Sequence, residues 1–341
     1  MTPQGMVPAL AAPLLFGLGI AASKALLAQA DPVLLAGGLY LCSGLGLAAW
    51  SALRRGAEAP LRKPDLPWLA AVAVSGGIIG PVLLMLGLKA MPANAASLLL
   101  NLEAALTALL AWAFFRENLG ARSAGGIACI VAGAAALSWQ AGPSWGSSWG
   151  AWAVAGACLA WALDNNFSQK LSAKDPVAVA AVKGLCAGTF NLVLAASLGT
   201  RLPQAQDLLF IGLVGLLGYG LSLVCFLRAL RLIGAARTGA CFSLAPFIGA
   251  AAGVLFLGEP FSARLAAAAA AMAAGLYLMG TERHEHAHRH EGLSHEHLHS
   301  HDEHHRHEHS GAEHGAEHSH SHSHEGPTHS HPHQPDIHHR H

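Results

Sequence analysis

Asp31-Pro32-Val33 and, 144 residues later, Asp175-Pro176-Val177 are the stretches that decide how this chain is read. Leu41-Cys42 recurs as Leu185-Cys186 at the same offset. Further along, the offset settles at 142: Asp65-Leu66 returns as Asp207-Leu208, Glu117 as Glu259, and Ala121-Arg122 as Ala263-Arg264. Each match is short, but all fall in one order at nearly one spacing. The chain therefore reads as a duplication.

What is duplicated is apolar. A helix needs about 20 mostly apolar residues to cross roughly 30 Å of hydrocarbon. Ten windows meet that length: 7–28, 33–53, 68–88, 93–115, 121–140, 149–169, 177–198, 207–230, 235–257 and 263–281. Breaks such as Asp31-Pro32, Met91-Pro92, Gly142-Pro143 and Glu259-Pro260 separate them. The expectation is an all-α polytopic membrane protein, with ten transmembrane helices as two inverted five-helix repeats at 7–140 and 149–281. A repeat with an odd number of spans inserts its second copy upside down, a plan that places substrate near the midplane between the halves. Runs such as Ala132-Gly133-Ala134 let helix backbones approach closely in lipid. The first cation, Lys24, follows the first apolar run, so that run is expected to be retained as a span rather than removed as a signal peptide.

Charge is unevenly placed. Only 12% of the 341 residues are charged, against about 25% in soluble domains. The zero net charge cancels a surplus of seven cations before His284 against seven anions after it, which gives no support for nucleic-acid binding. Arg54, Arg55, Arg62, Lys63, Arg116, Arg122, Lys170, Lys174, Arg228, Arg231, Arg237 and Arg283 fall on one side of the proposed spans. Lys24, Lys89, Arg201 and Arg264 fall on the other. The positive-inside bias puts both termini in the cytoplasm, with the chain multi-pass in the inner membrane. The six cysteines are dispersed within apolar stretches and read as buried thiols.

The halves resemble the drug/metabolite transporter superfamily, and within it the EamA-type permeases. The resemblance rests on Asn94 to Glu103 followed by Phe115-Arg116-Glu117, and on Ser243-Leu244-Ala245-Pro246 followed by Leu257-Gly258-Glu259-Pro260. The family pattern has Glu-Pro within the fourth helix and Gly-Glu at its end. Here the first repeat keeps Glu103 but has Ala104, the second keeps Pro246 but has Ala245, and Arg116 replaces the Gly. The resemblance implies movement of a small solute through a central cavity lined by helices one to four of each repeat, with the fifth helices peripheral.

Ionisable groups within spans cost about 2.5–3.5 kcal/mol on insertion scales, so each needs a reason. Asp164, followed by Asn165 and Asn166, Glu103 with Asn101 nearby, and Lys183 are the candidates for the substrate or ion path. Asp164 or Glu103 would bind a cation or relay a proton, with Lys183 as counter-ion. The alternative is hydrogen bonding that only holds the bundle together. Glu117 and Glu259 sit at helix ends, where capping or solvation is expected.

All 23 histidines lie between His284 and His341. Residues 282–341 carry no apolar period and read as a cytoplasmic, His-rich, disordered tail. His284, His286, His288, His290, His295, His297, His299, His301, His318, His320, His322 and His324 alternate with small or acidic residues, and neutral imidazole suits Ni, Co or Zn. No tightly bound cofactor is expected beyond a divalent transition metal on this tail. Expected partners are the lipid bilayer and a small solute or ion, with a homodimer as an option. There is no nucleophile elbow, phosphate loop or membrane metalloprotease motif, so no enzyme is expected. The main alternative is a transition-metal carrier fed or sensed by the tail. The rival of another class is a non-transporting membrane metal sensor or store.

Overall fold

The computed structural model describes residues 3–53, 59, 61–115, 119–140, 146–172, 174–281, 287–289, 294–299, 318–323 and 328–330. Among the described residues, nine helices are long and apolar enough to cross a membrane. They are α1 (Gly5–Leu26), α2 (Pro32–Leu53), α3 (Lys63–Ala90), α4 (Ala93–Phe114), α5 (Ala121–Ser138), α7 (Pro176–Ser197), α8 (Ala205–Ile233), α9 (Arg237–Leu257) and α10 (Ala263–Gly280). The tenth helix, α6 (Trp149–Ser168), has the length, but Asp164, Asn165 and Asn166 lower its hydropathy. The helix least suited to lipid is thus the one that carries Asp164 and Asn165, two of the five candidate residues. In the tail, short antiparallel backbone pairs join Ala287–Arg289 to Thr328–Ser330 and Ser294–His299 to His318–Ser323. His284, His286, His290, His301 and His324 lie outside the described residues.

The repeated Asp-Pro motif is a helix start used twice. Asp31 Oδ1 accepts from the Val33 amide at 2.9 Å, and Asp175 Oδ1 accepts from Val177 at 2.9 Å and Ala178 at 3.3 Å. Proline follows each cap at the first helical position, where its missing N–H costs nothing.

The repeats show also in their irregularities. A π-helical turn occupies Ala73–Ile79 of α3, and its counterpart occupies Gly215–Leu221 of α8, 142 residues later. The first part of α4 ends at Leu99 and its second starts at Leu102. In α9 the first part ends at Phe242 and the second starts at Ala245. Pro246 accounts for the second break, because it lacks an N–H and crowds the preceding turn. The first break has no proline. There Asn101 Nδ2 donates to the Leu98 carbonyl at 2.9 Å, a side chain competing with the backbone ladder.

Eight helices close into a ring in the order α7, α3, α6, α4, α9, α1, α8, α2 and back to α7. Exchanging α1 with α6, α2 with α7, α3 with α8 and α4 with α9 maps this ring onto itself, as a two-fold relation between inverted repeats requires. α5 and α10 pack on each other outside the ring, beside α4. Glycine makes both symmetric contacts close. A Cβ on Gly44 of α2 would lie 2.5 Å from the Leu185 amide of α7, and one on Gly126 of α5 would lie 2.6 Å from the Gly275 carbonyl of α10. The ten helices put α1's start and α10's end on one face of the bundle, here the terminal face. The α3–α4 turn lies on the opposite, far face.

Candidate functional site

Four of the five candidate membrane residues gather where α3, α4, α6 and α7 meet. Asn165 Nδ2 donates to Glu103 Oε1 at 2.9 Å and to Thr107 Oγ1 at 3.3 Å. One residue earlier, Asp164 Oδ2 accepts from Lys183 Nζ in a direct ion pair. Asn166 Nδ2 donates to the carbonyls of Thr107 at 3.3 Å and Ala162 at 2.8 Å, which ties α6 to α4. Asn101 stands apart: its amide serves the α4 break and reaches Met272 Sδ of α10 at 3.7 Å.

Burial, rather than helical phase, separates Asp164 from its neighbour Asn165. Trp152 and Leu159 are 69% and 43% exposed and mark the outer face of α6. At about 100° per residue, Asp164 lies roughly 120–140° round from them on one side and Asn165 as far on the other, so both point inward, Asp164 toward α3 and Asn165 toward α4. Yet Asn165 is itself exposed. That exposed side chain lies on the bundle-facing side in the last turn of α6, so the polar cluster opens toward the terminal face. Glu103, half-buried, is hydrogen-bonded to that side chain and shares the accessible space.

The ion pair instead embraces the π turn of α3. A Cβ on Gly76 would run into the Asp164 carboxylate, and one on Gly77 would lie 3.3 Å from Lys183 Cγ and 2.7 Å from the Ala187 Cβ. A π turn releases a carbonyl from the helical ladder. Here two aromatic donors approach the Gly76 carbonyl, Tyr40 Oη at 3.1 Å and Trp161 Nε1 at 3.0 Å. The second oxygen of Asp164 is buried with no hydrogen-bond partner.

The pseudo-symmetric positions of the other repeat carry no such charge. At the 144 offset, Asp164 corresponds to Ile20 and Lys183 to Leu39, both fully buried. At the 142 offset, Glu103 corresponds to Ala245 and Gly76 to Gly218. One repeat fills these positions with hydrocarbon, and the other places an ion pair and a free carboxylate there.

Sequence reasoning missed the aromatic residues. Phe16 and Tyr219 rings meet at 5.7 Å between centroids, Tyr40 and Tyr219 at 6.0 Å, Phe16 and Phe242 at 5.6 Å, and Phe226 and Phe242 at 5.0 Å. The available signal was rarity: the chain has three tyrosines, and two of them fall mid-span.

At the far face, charged side chains tie α9 to α4 and α1 to α3. Glu259, just past α9, accepts from the first amides of α4, Ala93 at 2.5 Å and Asn94 at 2.7 Å. Lys24 of α1 donates to the last carbonyls of α3, Leu88 at 2.6 Å and Met91 at 3.0 Å. Both contacts are charge-assisted, and each matches the local helix-end polarity. Glu259 thus caps a helix, though the helix belongs to the other repeat. Glu117 lies outside the described residues.

A ring of helices from two inverted repeats, tied together at one face and carrying a polar cluster where four of its helices meet, fits the architecture of a membrane transporter. Similar proteins point the same way. The EamA-like transporter family matches residues 3–139 and 148–281, and the chain belongs to that family. An uncharacterized transporter of Methanothermobacter thermautotrophicus is 29% identical over 294 residues, covering 81% of this chain and 85% of that protein. A solved crystal structure is similar with a TM-score of 0.60 at 19% identity, covering 82% of this chain and 96% of its own, which shows a shared fold.

Proposed function

We propose that the chain is a secondary permease that carries a small solute across the inner membrane through the centre of the eight-helix ring. Both termini are placed in the cytoplasm, so the terminal face is the cytoplasmic one. Glu103 and Asn165 contact the solute. Asp164 and Lys183 brace the α3 turn that forms the wall beside them. The observation that carries this reading is Asn165, exposed on the inward side of α6 and hydrogen-bonded to Glu103. The half-ring α1, α2, α8, α9 rocks against α3, α4, α6, α7 to expose the centre to either face alternately.

The test is uptake of labelled amino acids, amines, nucleosides and nickel ion into proteoliposomes. Wild-type protein raises the flux of at least one solute above empty vesicles, and Glu103→Gln removes most of that rise. Equal flux in the variant would remove Glu103 from the path.

A second reading is a transition-metal carrier fed by the tail, favoured by the 23 histidines that follow the last helix. In either reading the tail binds Ni, Co or Zn through neutral imidazoles. Deleting residues 284–341 separates them. An organic-solute permease keeps its flux, and a tail-fed metal carrier loses it.

A further inference from the structure

The two halves of the ring differ in chemistry, and the difference describes the two ends of a ligand. Phe16 lies two residues from each of the exposed Leu14 and Leu18, so it points about 200° away from them, to the ring centre. Phe242 lies two residues past the exposed Ala240, at the end of the first part of α9, and Tyr219 lies in the π turn between the exposed Leu217 and Leu221, on the side away from both. With Tyr40 these rings form a continuous, half-buried aromatic wall on α1, α2, α8 and α9. Their pseudo-symmetric counterparts are Ala160 for Phe16, Gly184 for Tyr40, Gly77 for Tyr219 and Leu100 for Phe242. At these four positions the opposite half-ring therefore carries no aromatic ring. It has Glu103, Asn165 and Thr107, where the aromatic half has Ala245, Ala21 and Gly249.

The charges on the polar half do not cancel. Asp164 and Lys183 neutralise each other. Glu103 is left with neutral donors, Asn165 being its hydrogen-bond partner in the structure. Lys24 is engaged at the far face with Leu88 and Met91 and does not compensate Glu103. The polar half therefore carries one carboxyl group beyond the ion pair, across the ring from the aromatic wall. Aromatic rings opposite a carboxyl group favour a cation, through the negative potential of their faces. The walls meet at the Gly76 carbonyl, where Tyr40 of the aromatic half and Trp161 of the polar half converge.

From this asymmetry we infer that the ligand is an amphipathic organic monocation, with an apolar or aromatic body against Phe16, Tyr40 and Tyr219 and one ammonium group at Glu103. The inference rests on the permease reading only for the ring centre being a passage. Anions meet Glu103 unfavourably, and small inorganic cations leave the aromatic wall unused.

The experiment is calorimetric binding to the full-length protein in nanodiscs, with phenethylamine, the neutral 2-phenylethanol and the anionic 3-phenylpropionate. Phenethylamine binds about tenfold or more tighter than either, the worth of one charge-assisted hydrogen bond. Glu103→Gln removes the preference for the amine over the alcohol, and Tyr219→Leu weakens both. Because the ligand series is compared on wild-type protein, the inference is tested even if a variant folds poorly. Equal or tighter binding of the alcohol or the carboxylate overturns it, as does failure of all three to bind. Flux of the same compounds into proteoliposomes separates the two claims. Glu103-dependent flux of the anion or the alcohol would sink the cation assignment and leave the permease standing. Amine binding with no flux of any solute would sink the permease and leave the site.

Discussion

Replacing Asp164 and Lys183 by the residues that the other repeat uses, Ile20 and Leu39, makes a sharp test of what the ion pair does. The side chains of Asp164 and Lys183 are 9% and 17% exposed, so each is substantially desolvated. Asp164→Ala alone strands a buried ammonium and is expected to cost about 3–5 kcal/mol, a shift of two to three and a half orders of magnitude in the unfolding equilibrium. The double substitution Asp164→Ile with Lys183→Leu removes both charges. Exchanging a buried pair for packed hydrocarbon is often neutral, or stabilising by about 1–4 kcal/mol. Gly218 stands at the position of Gly76, so both repeats keep a glycine at this point of the π turn. The assay is SDS-driven unfolding in mixed micelles, followed by tryptophan fluorescence, for wild type, both singles and the double. The double is expected at or above wild-type stability, far above Asp164→Ala. Because the pair is buried against the π turn of α3, the double is also expected to keep flux. A double as unstable as the single would refute the argument that the fold does not need this charge. A stable double without flux would show that Asp164 itself contacts the solute.

Two further outcomes follow from the ends of the molecule. Glu259→Ala deletes the carboxylate that accepts from Ala93 and Asn94, so α4 loses its cap and the far face its tie. The expected cost is about 2 kcal/mol by the same unfolding assay, with Glu259→Asp recovering part of it. No change on Glu259→Ala would show the contact to be incidental. Full-length protein is expected to bind Ni, Co or Zn at pH 7, while a chain ending at residue 283 does not. Binding is lost toward pH 5, as imidazoles with ordinary pKa near 6.5 take up protons in place of metal. Metal retained at pH 5, or bound equally by the truncated chain, would contradict this.

The architecture is legible because it is written twice. Apolar length marks most of the spans, and the 142–144 offset reveals the duplication. Other features require the fold. The π turn at Ser75-Gly76-Gly77 looks in sequence like any small-residue packing site. Its meaning emerges only when Tyr40, Trp161 and Asp164 converge on it from other helices. Glu103 and Asp164 look equivalent as mid-span carboxylates. They separate only in the fold: Asp164 is buried against α3 and paired with Lys183, while the Asn165 that holds Glu103 is exposed. Asn101 looks like a path residue from its spacing to Asn94 and Ser97, but it sits at a helix break and satisfies the carbonyl freed there. Glu259 looks like a local cap, whereas its partners lie 166 and 165 residues away. Local pattern records what a helix can do alone. Which helix end or neighbour receives it is set by the ring.

Transport through the ring requires its centre to be wet where Asn165 points. In a cysteine-free background, Asn165→Cys and Leu159→Cys can each be challenged, in intact membranes, with a charged, membrane-impermeant thiol reagent. Both positions are exposed on the bare bundle, but only one is exposed to water if the centre is a passage. The thiol introduced at position 165 is expected to be modified, while the one at position 159, facing lipid, is expected to stay unreacted. Modification of position 159 with position 165 protected would contradict a passage through the ring centre.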